Sequence, residues 1–368
     1  MVTLFKKNVR LRSKWVLIAL AILVFVLLAV VRRKIGRAGT EVNAAELVRA
    51  VRESENWIHQ CDSLLIRVDS NWTKTKHGIA AYRKELKEEF YHDLEPDPNR
   101  HWGLKPGYTG KLEYAIEQPD ANQRRLRRLH DVPGRRRVLT IWNGKERLFH
   151  ERYFTHKQEN YMIENNPDKI AWGLFDDLSW PRAQPHSFWW DQVDIEENLE
   201  WWGRVEEFRF KGRAKYRGVD CYVLECKPPA LTGRVRRWYV GTKDHLLYGN
   251  LLLSLGRTIG QYWTLDYKEV ADGCWYPMTQ GYELYDEQWW GKVYLNSRRE
   301  LKVVEIRVNE QLPDELFQME FKEDVRVVDL RFGGLVAYRY KANRTEQEWQ
   351  EIRERARKRA ERDDAEKK

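Results

Sequence analysis

The sequence predicts an α+β, β-dominated fold: a large curved antiparallel sheet, or half-barrel, with covering helices, preceded by one transmembrane helix. Three observations predict it. The run Trp15–Val31, WVLIALAILVFVLLAVV, is apolar throughout. Behind it, two helix-like segments flank one strand-like segment. From KLEYAIEQ onward, short segments rich in Val, Ile, Tyr, Trp and Thr alternate with turn signals.

The apolar run comes first. About 17 residues at ~1.5 Å rise cover most of a ~30 Å hydrocarbon core. Lys6, Lys7, Arg10, Arg12 and Lys14 precede it, and Arg32, Arg33, Lys34 and Arg37 follow. It ends in Ala29-Val30-Val31 and meets basic residues at once, which reads as an uncleaved signal anchor rather than a removed signal peptide. A core helix of a soluble domain would carry a polar stripe, and this run has none. Its flanks carry nearly equal positive charge, so the positive-inside rule tips only slightly toward a cytoplasmic N-terminus.

Thr40 is a candidate N-cap for the first amphipathic helix, in which Leu47, Val51 and Ile58 recur at near-helical spacing through AAELVRAVRESENWIHQ. CDSLLIRVDSNWTKT then reads as a strand, and HGIAAYRKELKEEFYHDL as a charged surface helix. Beyond Pro96 and Pro98 about ten strands follow, by periodicity. RRVLTIW and ERLFHERYF form a hairpin around Asn143-Gly144 by their turn chemistry. In LKVVEIRV, strict alternation sets Lys302, Val304, Ile306 and Val308 opposite Leu301, Val303, Glu305 and Arg307. A sheet this large must curl or close. The aromatic, Pro-broken stretch DKIAWGLFDDLSWPRAQPHSFWWDQVDIEENLEWW interrupts the strands and reads as a helical cap on one face. From Thr345 onward the tail reads as a solvated helix with i,i+4 pairs such as Glu351 and Arg355. The chain therefore divides into a short basic cytoplasmic segment, 1–14, a transmembrane signal anchor, 15–31, a curved β-sheet domain, 40–341, and a charged helical tail, 342–368.

Three segments then resemble the LolA/LolB-like group of outer-membrane lipoprotein-sorting half-barrels. AELVRAVRESENWIHQCDSLLIRVDS is similar to the helix-into-strand opening of that group. IWNGKERLFHERY is similar to its hairpin. CYVLECKP with RRWYVGTKDHLLYG is similar to its central strand pair. LPDELFQMEFKEDVRVVDLRF resembles a closing segment of membrane-anchored members. The likeness covers most of 40–341. It implies a concave sheet, lidded by helices, that holds acyl chains. With the apolar run as anchor and the group extracytoplasmic, the expected location is the inner membrane, with the large C-terminal domain in the periplasm. Unlike the soluble carriers of the group, this chain keeps an anchor and adds a charged tail.

No catalytic constellation is local in the sequence. GxSxG, HExxH and Walker A patterns are absent, and none of Cys61, Cys221, Cys226 and Cys274 forms a CxxC. Cys221 and Cys226 sit at odd spacing on one strand and point to opposite faces. His150 and His156, six residues apart on one strand, would lie ~20 Å apart, too far for one metal. The expectation is a non-enzyme with no cofactor and no metal. The sharpest charged feature is the run Arg124, Arg125, Arg127, Arg128, Arg135, Arg136 and Arg137, a candidate patch for an anionic partner, or else a strand edge protected by charge. Tryptophan is abundant, at 17 residues, and suits sheet faces and membrane interfaces alike. The membrane is the expected partner, with a lipid or lipoprotein ligand; nucleic acid is not expected, because the basic flanks already neighbour anionic headgroups. The function expected is binding of a hydrophobic envelope ligand, with a protein-interaction or envelope-sensing module as the alternative.

Overall fold

The computed structural model describes residues 42–55, 61–88, 104–117, 125–154, 158–165, 205–228, 232–287, 293–331 and 336–366. The anchor 15–31, the basic segment 1–14, Thr40, Ile58, His156, the three Trp doublets and the aromatic interruption lie outside these residues. Among the described residues no helix is long and apolar enough to cross a membrane.

Helix α1 (Ala44–Glu55) opens the described chain. Asn43 caps it: its Oδ1 accepts from the Ala45 and Glu46 backbone N–H groups at 3.0 and 3.4 Å. Strand β1 (Ser63–Lys74) follows, then α2 (Lys76–Leu86), capped by Thr75. A first meander runs through β2 (Gly107–Glu117), β3 (Arg125–Val132), β4 (Arg136–Trp142), β5 (Arg147–Tyr153) and β6 (Gln158–Glu164). A second runs through β7 (Arg209–Tyr216), β8 (Val219–Cys226), β9 (Arg234–Gly241), β10 (Leu247–Ser254), β11 (Arg257–Ala271), β12 (Cys274–Glu287) and β13 (Val293–Val308). Strands β14 (Arg326–Asp329) and β15 (Val336–Arg339) and helix α3 (Glu346–Glu366) end the chain.

All fifteen strands form one open curved sheet, in the order β15-β14-β6-β5-β4-β3-β2-β1-β13-β12-β11-β10-β9-β8-β7. The chain thus enters at the middle of the sheet. It meanders outward on one side, restarts at the opposite edge and works back until β13 closes on β1. Among the described strands only β14 on β6 is parallel. Residues 309–325 form a crossover that carries the chain from β13 at the middle of the sheet to β14 near its edge, burying Leu312 and Phe317 on the way.

The two halves bury opposite faces. On the β7–β10 side, Val48 and Val51 of α1 pack with Phe208, Leu224, Trp238, Val240 and Leu247. Helix α1 touches both β7 and β12, so the sheet curls around it on this face. The central cluster of Leu64, Ile66, Val68, Tyr114 and Tyr276 lies on the same face by register. On the β2–β6 side the opposite face is covered instead: Ile352 and Ala356 of α3 pack with Ile141, Tyr161, Ile163, Val327 and Tyr338. In β4 the run Val138–Ile141 is buried throughout, as a strand covered on both faces should be.

Two sequence expectations change here. The tail helix is docked, not solvated. Trp349, Ile352 and Ala356 form a stripe on its inner side. Fully burying one Ile contributes ~2 kcal/mol, against a few tenths for an exposed i,i+4 ion pair, so docking holds this helix in place. Second, the alternation of β13 breaks at Val304. Arg67 pairs with Glu305 and Val68 with Val303, leaving Val304 as a bulge that is 54% exposed. The extra residue reverses parity, so Ile306 and Val308 share a face with Leu301 and Val303.

Candidate binding face

The α1 face carries a row of side chains that runs across the sheet rather than along any strand. Cross-strand partners place Trp238, Asn250, Tyr262, Tyr282, Arg299, Trp72 and Tyr108 side by side on β9, β10, β11, β12, β13, β1 and β2. Directly opposed side chains on one sheet face are in contact range. Tyr262 and Tyr282 stack with centroids 4.4 Å apart, and Trp72 and Tyr108 with centroids 5.2 Å apart. These four rings are half-buried.

Polar groups punctuate the row. Arg299, 7% exposed, lies between the two ring pairs and donates from Nε to Ser70 Oγ at 3.0 Å. Asn250 is buried and accepts from Arg236 at 3.3 Å. The Arg135 guanidinium stands 5.5 Å from the Tyr108 ring, and the Lys74 ammonium 4.2 Å from the Tyr82 ring. Beyond the row on one side lie Thr264, Gln280, Leu301 and Ser70, leading into the apolar centre. On the other side lie Leu252, Gly260, Leu284 and Ser297.

The local field is positive. Burial, helped by Arg299, Arg128 and Arg136, pushes the His130 imidazole down to about 4. Burial raises the Tyr108 phenol, while the same field from Arg299, Arg135 and Arg136 pulls it back. Burial also lowers the Lys74 ammonium.

The opposite face of the same strands is built to be closed. Trp263 lies over Gly281, where a side chain would collide with the indole, and the Arg217 and Arg298 guanidiniums cover it at 4.2 and 5.7 Å. Beside it Glu283 accepts from Tyr285 at 2.6 Å and from Gln261.

The structure divides the arginine run. Arg125 pairs with Glu117 and Asp314 and lies 4.5 Å from the Phe317 ring. Arg127 pairs with Glu113 and donates to the Leu316 carbonyl. Both fasten the 309–325 crossover to the α3 face. Arg128 lies on the α1 face by register, opposite Tyr114. Arg135 reaches Tyr108, and Arg136 pairs with Glu151. Arg137 is exposed on the α3 face, and Arg124 lies outside the described residues. His150 stacks on Tyr161 at 4.3 Å and contacts Glu159 at 2.8 Å, an ordinary sheet position. Cys226 joins the α1 cluster, and burial pushes both its thiol and that of Cys221 up to about 12. Among the described residues no group of three His, Cys, Asp or Glu side chains is placed to hold a metal.

No residue of the row stood out in the sequence, because its members come from seven strands that run from Trp72 to Arg299 in the chain. The usable signal was aromatic residues at matching parity in successive strands, which becomes a row only once register is known.

No protein-family model matches the chain, and no curated protein sequence matches it. Solved structures do. A domain from Vibrio parahaemolyticus described as an outer membrane lipoprotein-sorting protein domain is similar over 74% of this chain and 95% of its own, at 11% identity and a TM-score of 0.37. A DUF1329 family protein from Desulfovibrio piger is similar over 75% and 95%, at 14% identity and a TM-score of 0.37. A LolA superfamily protein from Nitrosomonas europaea is similar over 76% and 98%, at 12% identity and a TM-score of 0.34. At TM-scores of this size the likeness carries no function over to this chain. The chain is similar to LolA-superfamily and lipoprotein-sorting domain structures.

Proposed function

We propose that this chain is a membrane-anchored extracytoplasmic binding domain for a lipid, an acylated protein or another hydrophobic envelope ligand. The run 15–31 tethers it to the inner membrane, and the sheet domain lies in the periplasm. The observation that supports this best is the cross-sheet row. Stacked, half-buried rings accept an acyl chain, and the adjacent guanidinium of Arg299 suits an anionic or carbonyl-bearing end of the same molecule.

Binding is a better reading than catalysis. The ionisable groups described on this face include guanidiniums, phenols, the Lys74 ammonium and one imidazole held neutral, and burial pushes the Tyr114 phenol up to about 12. With its imidazole lowered to about 4, His130 is not poised for proton transfer near neutral pH. The alternative, an interaction module working through the arginine run, is weakened by the use of Arg125 and Arg127 inside the fold.

The test is mass spectrometry of lipid retained by residues 40–368, exported and purified without detergent. The expected result is stoichiometric lipid or acylated peptide, lost in Tyr262→Ala/Tyr282→Ala. A folded wild-type domain that emerges free of lipid overturns the proposal.

A further inference from the structure

The two rims of the β7–β13 half differ in chemistry. One rim carries the turns Arg217-Gly218, Thr242–Asp244 and Asp272-Gly273, polar as exposed turns usually are; Trp275 and Val304, exposed by 38% and 54%, lie near this rim, but no turn tip there is apolar. The other rim carries the β10–β11 turn, Leu255-Gly256. Ser254 pairs with Arg257 across that turn, and both of its residues have positive φ, 47° and 78°. A two-residue turn of this kind favours Asn, Asp or Gly at its first position. Leu255 occupies it instead, in a backbone region that L side chains avoid, and is 86% exposed. The equivalent turn on the polar rim, with φ 49° and 89°, carries Arg217 there. Nothing in the packing of the fold accounts for a bare leucine at a strained tip.

Leu255 has company. Phe210, Leu284 and Tyr294, exposed by 37%, 40% and 37%, lie within four residues of the same rim ends of β7, β12 and β13. Lys76, Lys227, Arg234 and Arg257 are exposed there too, and none pairs with a carboxylate among the described residues. The carboxylates nearby are mostly engaged: Glu225 with Lys211 and Arg237, and Asp286 with Asn296. Glu206, next to Arg209, is an acidic exception. Exposed apolar side chains ringed by cations match an anionic bilayer surface.

The path of the chain points to the same rim. Helix α1 packs on the turn Val205–Glu207, which leads into the rim end of β7. Helix α1 therefore lies beside the rim end of β7. Only residues 32–43 separate it from the apolar run, a span of at most ~40 Å when fully extended.

We propose that the Leu255 rim seats on the outer surface of the bilayer that holds the apolar run, with Leu255 inserted among the headgroups. The seat turns the open end of the α1 face toward the lipid. This proposal rests on the anchored reading given above.

The experiment uses the full chain, reconstituted into vesicles of phosphatidylethanolamine and the anionic phosphatidylglycerol. On a Cys274→Ser background, Leu255→Cys or Asp272→Cys carries a nitroxide, and relaxation by oxygen is compared with relaxation by an aqueous nickel complex. Circular dichroism of each variant verifies the fold, and vesicle flotation reads anchoring separately. The expected result is oxygen-favoured relaxation with loss of the nickel effect at 255, and the reverse at 272. Nickel access at 255 equal to that at 272, in a chain that floats with the vesicles, overturns the rim proposal alone. A chain that does not float overturns the anchored reading and the rim proposal with it.

Discussion

The two halves of this sheet use the same antiparallel meander but stay dry on opposite faces. In the β7–β10 half, α1 lies inside the curl and Trp238 is the largest side chain it covers. In the β2–β6 half the cover is outside, from α3 and the crossover, over Ile141, Ile163 and Val327. Strand pairing alone therefore does not decide which face of a sheet becomes core. The helix that arrives with an apolar stripe decides it, and here two short stripes suffice: Leu47, Val48 and Val51 on one helix, Trp349, Ile352 and Ala356 on the other.

The strongest way to break this symmetry is Trp238→Ala, which removes a fully buried indole from the α1 side at a cost of about 4 kcal/mol. Urea unfolding measures the loss. Hydrogen exchange should rise first in β8–β10 and leave β4–β6 protected. Its mirror, Ile352→Ala, costs about 3 kcal/mol and should reverse the order of exchange. If both variants open the same strands first, the halves are one cooperative unit and the comparison fails.

A third experiment sharpens the contrast by pH. His130, on the α1 face, has its imidazole lowered from 6.5 to about 4. Above pH 6.5 it is neutral in both the folded and unfolded states and contributes no pH dependence. Between pH 6.5 and 4 the unfolded chain takes up a proton that the native fold refuses, so stability falls. Below pH 4 the loss is constant, at roughly 3 kcal/mol. His130→Gln should flatten this part of the stability–pH curve; an unchanged slope would refute the assignment. The smallest effect is at the start of α3. Thr345 Oγ1 accepts from the Glu348 N–H at 3.3 Å, and Glu348 accepts from the Thr345 N–H at 2.9 Å, a reciprocal cap. Thr345→Ala should cost about 1 kcal/mol, read by thermal unfolding, and should loosen only the α3 side.

Much of the architecture was legible in the sequence because its signals are local. The helix-strand-helix opening, the Asn143-Gly144 hairpin and the succession of short strands all follow from spacing and turn chemistry. Parity in β13 was not legible, because the bulge at Val304 has no residue signature of its own. Docking of the tail was masked by its charge: three apolar residues in a polar helix look solvated until a partner surface exists. The cross-sheet row was hidden most deeply, since Arg299 reads as one more surface cation until Tyr282 and Trp72 stand on either side of it.

The central position of β1 governs how this chain must assemble. Its partners on one side follow within the next hundred residues, whereas Asp62 bonds Asn309 across a separation of 247 positions. A polypeptide delivered from its N-terminus can zip β1 to β6 at once, while the other side of β1 waits as an open ladder for a strand made much later. That wait is entropically costly and slow, and it leaves an unpaired edge exposed to other chains. In the anchored arrangement proposed above, a tether would hold each molecule at its own site on the bilayer and keep such edges apart while the sheet is half-built.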